Sequence, residues 1–452
     1  MNIGLDKGFA AGTRRIAVVG SGISGLSCAW LLAKRFDVTV FEAADRLGGH
    51  ANTVDVDGPK GKVAVDTGFI VYNDRNYLNL VALFEHLGVP TQASDMSFAA
   101  SLDQGRFEYS GSGLSGLLGQ RRNALRPRFW RMVADIMRFY RAAPHLLERS
   151  DLAAATLGDY LDLEAYSAAF IEDHLLPMGA AIWSTTVADM RAYPLTAFIR
   201  FFINHGLVTI NDRPQWRTVI GGSREYVSRL KAATPAQFRS GDPVKSIIRS
   251  TLGVKIVTES GHQDRFDQVV VATHANEALA LLDEAQGLER ALLSCFDYTS
   301  NVAVLHSDPS VMPKRQRVWA SWNYIGEQRK AGEGALCVTY WMNKLQNLDS
   351  SLPLFVTLNP SREIDRSKVH QVFDYAHPLF DSKAIAAQRQ LWQLQGRNRT
   401  WFCGAHFGSG FHEDGIQSGL AVAEQLGGLS RPWTVDNPSG RIFAEQVLAA
   451  AQ

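Results

Sequence analysis

The sequence predicts an α/β fold in which a parallel-sheet domain is assembled from three separate stretches of chain and accompanied by an α+β domain with a helical region. Three observations carry this. A short apolar run, Ile16–Val19, leads into Gly20-Ser-Gly-Ile-Ser-Gly25, a helical-looking stretch, and a second strand-like run closed by an acid, Val38-Thr-Val-Phe41-Glu42. Strand-like alternation returns at Pro243–Ile248 and Val254–Val257, and Phe266–Thr273 ends in small residues as a buried strand does. Thr400-Trp-Phe-Cys-Gly404 reads as one more strand, followed by a glycine-rich turn and a helix from about Gly415 to Leu426. Together they describe a discontinuous Rossmann-like domain of residues 14–76, 215–290 and 390–452. Residues 77–214 and 291–389 then form the second domain.

Each part of the first unit has a chemical reason. The spacing strand, glycine turn, helix, strand, acid is that of a dinucleotide-binding βαβ unit. Gly20 permits the tight turn, Gly22 lets backbone approach a pyrophosphate, and Gly25 lets helix pack on strand. Anions meet the positive end of the helix there. Glu42 can accept hydrogen bonds from an adenosine ribose, and it would repel a 2′-phosphate. A second glycine pair, Gly48-Gly49, follows within Asp45–His50, and Asp66-Thr67-Gly68-Phe69-Ile70 comes soon after. Exposed amides with Arg46 beside them suit a diphosphate, which points to FAD rather than NAD. Ser24, Ala43, His50 and Val244 complete the candidate contacts on this side.

Between these stretches the composition changes. Residues from about Tyr77 to Phe202 are mostly helical by pattern, whereas Asn301–Leu305 and Ala335–Trp341 read as strands of a substrate-binding half. Lys and Arg total 46 against 45 for Asp and Glu, so there is no global case for a nucleic-acid partner, and no basic recognition module. Cys28, Cys295, Cys337 and Cys403 form no CxxC pair, which disfavours a zinc knuckle or disulfide framework and fits a reducing cytosol. No metal site is expected. The segment Met1–Arg15 lacks the apolar core of a secretory signal, and no stretch reads as a transmembrane helix.

With these residues in place, the chain resembles the flavin-containing amine oxidase and phytoene desaturase superfamily, whose nucleotide domain is glutathione-reductase-like. The most specific part of the resemblance is Cys403-Gly-Ala-His-Phe-Gly-Ser-Gly-Phe-His-Glu-Asp-Gly-Ile-Gln-Ser-Gly419. It implies that Gly404 contacts the cofactor, that Asp414 reaches the flavin ribityl chain, and that the Gly415 and Ile416 amides lie near the flavin ring. No Cys-Tyr arrangement of a covalent tether accompanies it, so non-covalent FAD is implied. His412–Gly415 together with Met178–Ser184 resembles bacterial fatty-acid-modifying flavoproteins of the furan fatty-acid desaturase type. That likeness implies oxidation of a methyl-branched, already unsaturated acyl chain to a conjugated diene. A flavin amine oxidase, a carotenoid-type desaturase or isomerase, and a non-catalytic flavoprotein are the alternatives.

Such a desaturation needs few polar groups, and one modest base beside the flavin suffices. His412, Tyr72 and His50 are the candidates, each equally able to serve as a cofactor-packing residue. Trp322, Tyr324 and Tyr340 are candidates for a long apolar tunnel, for a cation–π cage around an amine, or for ordinary sheet packing. Trp322 and Tyr324 should share a face, with Trp341 opposite Tyr340. Seven arginines between Arg121 and Arg141, with Asp135 the sole acid, are interleaved with aromatics. This suits either a helix resting on anionic lipid or a solvated helical face. A fatty acyl or phospholipid substrate and a cytoplasmic protein, peripheral on the inner membrane face, follow from the first of these.

Overall fold

In the computed structural model, residues 13–183, 186–209, 211–326 and 337–444 are described. Arg15–Val19 is the central strand of a five-stranded parallel sheet, flanked by Asp37–Glu42 and Gln268–Val271, with Gln237–Ser240 and Thr400–Phe402 outermost. All three nucleotide stretches therefore contribute strands to one sheet. Four apolar residues in a row, Ile16–Val19, are buried because helices cover both faces of a parallel sheet. The run Phe266–Thr273 divides at Asp267. Gln263–Phe266 belongs to a three-stranded antiparallel sheet with Val244–Ser250 and Gly253–Thr258, and Gln268–Val271 enters the parallel sheet.

Helix Ile23–Leu32 is apolar on every side and all ten residues are buried, as expected of a helix enclosed on all faces. Its outer neighbour is the C-terminal helix His412–Gly427, which starts three residues before the sequence-based expectation. The two backbones cross closely: a Cβ at Gly419 would stand 2.2 Å from Ser24 O. Close approach explains a glycine in mid-helix, where it costs about 1 kcal/mol relative to alanine.

A seven-stranded sheet forms the floor of the second half. Its order is Val369–Pro378, Tyr298–His306, Phe355–Leu358, Val338–Trp341, Trp322–Gly326, Phe98–Leu102 and Phe107–Ser110. The last two strands interrupt the region read as mostly helical; they are only five and four residues long, too short for a clear period-two signal. Over this sheet lie the helices Pro127–Leu146, Leu176–Trp183 and Leu195–Asn204. One continuous apolar core runs through both halves.

Candidate cofactor and substrate site

A cavity of ≈ 760 Å³ opens where parallel strands end, with Val19, Glu42, Ala272 and Gly404 in its wall. Open α/β sheets take ligands at this edge because helix N-termini and turn amides converge there. Gly20 has φ +102°, and a Cβ on it would lie 2.8 Å from Ala272 O. Gly22 differs. Its φ −64° and ψ 178° suit any residue, and a Cβ there would meet no protein atom within 4 Å. Nothing in the protein requires glycine at 22, so the bared backbone at the helix N-terminus is room for a ligand, and a pyrophosphate fits it. Glu42 is held in place by Ser21, whose N and Oγ donate to Oε2 at 2.9 and 2.5 Å, and by Ala44 N, which donates to Oε1 at 3.0 Å. A carboxylate has about four acceptor sites, which leaves capacity for a ribose hydroxyl.

The adjoining wall is pinned by Asp66. This buried carboxylate accepts from Ser223 N and Oγ, from Thr53 Oγ1 at 2.6 Å and from Gln346 Nε2 at 2.9 Å. Burial nonetheless pushes its pKa up to about 6. Thr67, Gly68, Phe69 and Ile70 follow directly and line the cavity. His50 Nε2 is buried without a partner. What exposure His50 retains opens into the cavity, and desolvation, then neighbouring His377 and His274, hold its pKa well below the usual histidine range.

The start of the C-terminal helix sends three consecutive side chains in three directions. His412 lines the cavity, stacks on Phe69 with centroids 3.7 Å apart, and its Nε2 meets Tyr226 OH at 3.0 Å. Glu413 points the other way and accepts from Asn79 N, Asn79 Nδ2 and Leu80 N at 3.1, 2.8 and 3.0 Å, closing the N-terminus of helix Leu78–Leu87. Asp414 Oδ2 accepts from Phe411 N at 2.8 Å, and Arg441 Nε stands 2.9 Å from Oδ1 in an ion-pair contact angled away from a hydrogen bond.

Of the sequence-predicted residues, Gly20, Gly22, Ser24, Glu42, Ala43, Gly48, Gly49, His50, Thr67, Gly68, Phe69, Ile70, Val244, Gly404, His412, Trp322 and Tyr340 line this one cavity. Seven others stand outside its wall. Gly25 serves packing, since a Cβ there would lie 1.9 Å from Gly20 O. Arg46 is exposed and donates to Ala51 O. Asp414 is turned to the helix start and Arg441, so the ribityl contact expected of it is corrected to a capping role. Gly415 N donates to Phe411 O inside the helix, and Ile416 is fully buried. The amides a helix leaves without an intrahelical partner are those of its first turn, so His412 and Glu413, not Gly415 and Ile416, present them. Tyr72 lies in the core against Phe84 and Tyr77, which removes it from the candidate bases. Tyr324 shares a face with Trp322 but lies one pleat beyond the cavity, its ring beside Gly326. Trp341 meets Trp319, away from Tyr340.

The substrate end is walled by Met96, Phe98, Met178, Ile182, Trp183, Phe201, His205, Leu207, Trp216, Trp322, Tyr340 and Leu358. Trp322 and Tyr340 meet edge to face at 4.9 Å. Among the described residues no Lys or Arg lines the cavity, and the lining acids, Glu42 and Glu277, belong to the nucleotide side. His205, His406 and His412 are held down to about 3 and His377 to about 4, in each case by burial first. Trp183, His205 and Trp216 escaped sequence reasoning. The single local signal was the i, i+4 pair Phe201–His205 on one helix face.

Residues 23–427 match the flavin containing amine oxidoreductase family, from the glycine turn to the end of the C-terminal helix, and the chain belongs to that family. Its cofactor is FAD. No cysteine lines the cavity among the described residues, in keeping with non-covalent binding. The fold is similar to that of cyclohexylamine oxidase from Brevibacterium oxydans IH-35A (14% identity, TM-score 0.63, 92% of this chain and 99% of that one). It is also similar to a CLA-producing fatty acid isomerase from P. acnes (14% identity, TM-score 0.62, 91% and 98%). At such identities the likeness is one of fold.

Proposed function

We propose that this FAD-dependent oxidoreductase desaturates a methyl-branched, unsaturated fatty acyl chain to a conjugated diene, as furan fatty-acid synthesis requires. The observation that carries the reading is the substrate end itself, apolar and aromatic, with neither cation nor carboxylate in its wall. A hydrocarbon chain gains from burial there, whereas an ammonium group would be desolvated without a counter-charge. FAD supplies the hydride acceptor. The protein orients the chain, excludes water and accepts one proton.

Amine oxidation is the second reading, favoured by the Trp322–Tyr340 pair. Their interplanar angle is 87°, so the two rings cannot both turn faces toward one ammonium, as cation–π attraction prefers. Anaerobic flavin bleaching separates the readings. Methyl-branched unsaturated phospholipid should bleach the flavin and leave a conjugated diene detectable by lipid mass spectrometry. Bleaching by cyclohexylamine or putrescine but not by the lipid would replace the first reading with the second, and bleaching by a carotenoid alone would point to that class of desaturase. A flavin that none of them bleaches would leave a non-catalytic flavoprotein.

We further infer that the acyl substrate is met at an anionic membrane surface. No described helix is long and apolar enough to cross a bilayer. Peripheral contact is supported by the short turn Arg121–Leu125 and the start of helix Pro127–Leu146. Leu114, Leu125 and Trp130 are 79%, 87% and 48% exposed there, among Arg121, Arg122 and Arg131. Trp130 Nε1 donates to Ala124 O, which leaves the ring without an unmet donor. Gly111 N, three residues before Leu114, bonds to O of the cavity-lining Phe98, so the patch adjoins the substrate end.

A further inference from the structure

Three nitrogens in the substrate end of the cavity are buried without a hydrogen-bond partner: Trp183 Nε1, Trp322 Nε1 and His205 Nε2. The tryptophans are donors only. His205 is different, because its other nitrogen fixes the tautomer. Nδ1 stands 2.9 Å from Phe201 O, and a carbonyl oxygen can only accept, so Nδ1 carries the hydrogen and Nε2 presents a bare lone pair. The residue is 3% exposed. Its ring stacks on Phe201 with centroids 3.8 Å apart, and Phe411 and Trp216 flank it at 5.7 and 6.0 Å, so the lone pair is held in one direction.

We propose that His205 Nε2 is the proton acceptor of the desaturation, an assignment that rests on the acyl reading above. One substrate carbon loses hydride to FAD. A carbon conjugated with it loses a proton to Nε2, the electron pair of that C–H bond becomes part of the new diene, and an N–H bond forms on His205. The product side chain is an imidazolium, and the aromatic faces of Phe201 and Trp216 can stabilise that charge.

The other histidines of the cavity are placed differently. His412 Nε2 already faces Tyr226 OH, and the Nδ1 lone pair of His377 meets the Asn301 side-chain amide at 3.0 Å. His50 follows Gly48-Gly49 and His406 follows Gly404, both on the nucleotide side. Around His205 the titratable neighbours are Tyr77, whose ring lies 6.0 Å away, and Arg441, whose charge opposes protonation. Burial and Arg441 keep the imidazole neutral before turnover, with a pKa of about 3. A neutral acceptor is what the step needs.

The test compares wild type with His205→Gln, as holoenzymes. The variant should hold FAD as wild type does and bind a saturated phosphatidylglycerol, followed by flavin absorbance, within about twofold. Its anaerobic flavin reduction by the methyl-branched unsaturated phospholipid should be at least ~100-fold slower, the usual scale of general-base catalysis. Independently of turnover, ¹⁵N spectra of histidine-labelled wild type at pH 7 should contain an unprotonated Nε2 resonance that the variant lacks. Equal reduction rates, or a protonated Nε2 at that position, overturn the assignment. Should His205→Gln lose flavin, the wild-type resonance decides alone. If the lipid fails to reduce wild type, the acyl reading falls and this one with it; if wild type is reduced and the variant keeps pace, this one falls alone.

Discussion

A Cβ at position 22 would meet no protein atom within 4 Å, while one at position 25 would lie 1.9 Å from Gly20 O. The two glycines of one motif are thus required by different things. Gly22→Ala should fold normally, with stability unchanged or raised by about 0.4–1 kcal/mol through the unfolded state, yet it should lose flavin. Gly25→Ala should be destabilised by about 1–3 kcal/mol or more, the cost of overpacking. Flavin absorbance per chain and thermal midpoints with and without added FAD measure both effects. Full flavin content in Gly22→Ala would mean the pyrophosphate lies elsewhere. Glu42, Gly48 and Thr67 were readable as cofactor contacts because the motif fixes their order along the chain. The placement of Asp414 was not, since its partner Arg441 lies 27 residues on and nothing local announces the contact.

At the scale of elements, the arginine-rich segment shows how tertiary contacts sort residues that composition treats alike. Arg128 is spent on Asp173 and Glu172, Arg126 donates to Arg106 O, and Arg138 lies over the Tyr166 ring at 3.8 Å. Arg121, Arg122 and Arg131 are exposed and, among the described residues, make no ion pair. Replacing these three with Gln should weaken binding to vesicles of phosphatidylglycerol and phosphatidylcholine by roughly 3 kcal/mol at low salt, at ~1 kcal/mol per cation. Flavin content should be untouched. Binding of wild type should fall with added salt through screening and be weak on phosphatidylcholine alone. Cosedimentation at low and high salt checks this, and equal binding by wild type and triple variant would reduce the segment to a solvated face. Arg128→Gln is the contrasting change: it should cost stability by breaking a pair with the buried Asp173.

Across the whole molecule, buried histidines set the response to acid. His174, His306 and His377 are held down to about 4, and His205, His406 and His412 to about 3, chiefly by burial. Their unfolded pKa is about 6.5. Below that value the unfolded chain binds protons that the folded one refuses, so stability is full above pH 6.5 and falls as pH drops toward the folded values. Each such group contributes up to ~1.4 kcal/mol per pH unit. Asp66, raised to about 6, works the other way: its contribution is present below the unfolded carboxylate value and lost as pH rises through 6. Six groups outweigh one. The thermal midpoint should hold between pH 7 and 8 and drop steadily from 6.5 to 4.5, and a flat profile would mean that these histidines protonate without unfolding.

The sequence by itself determined the dinucleotide unit, the return of the chain to one parallel sheet, and most of the cofactor wall. Those features are local in origin: a glycine turn, an apolar strand and an acid at fixed spacing can be read without knowing what lies across the fold. Tertiary structure alone decided the substrate end. Trp183, His205, Trp216 and Trp322 come from three helices or loops and one strand far apart in the chain, and only packing brings their side chains to one cavity. It also decided that Tyr72 and Tyr324 turn into the core, and that consecutive Glu413 and Asp414 tie the scaffold together while His412 faces the site. On a helix, successive side chains point about 100° apart, so a motif read as one functional string is divided among three surroundings once it folds.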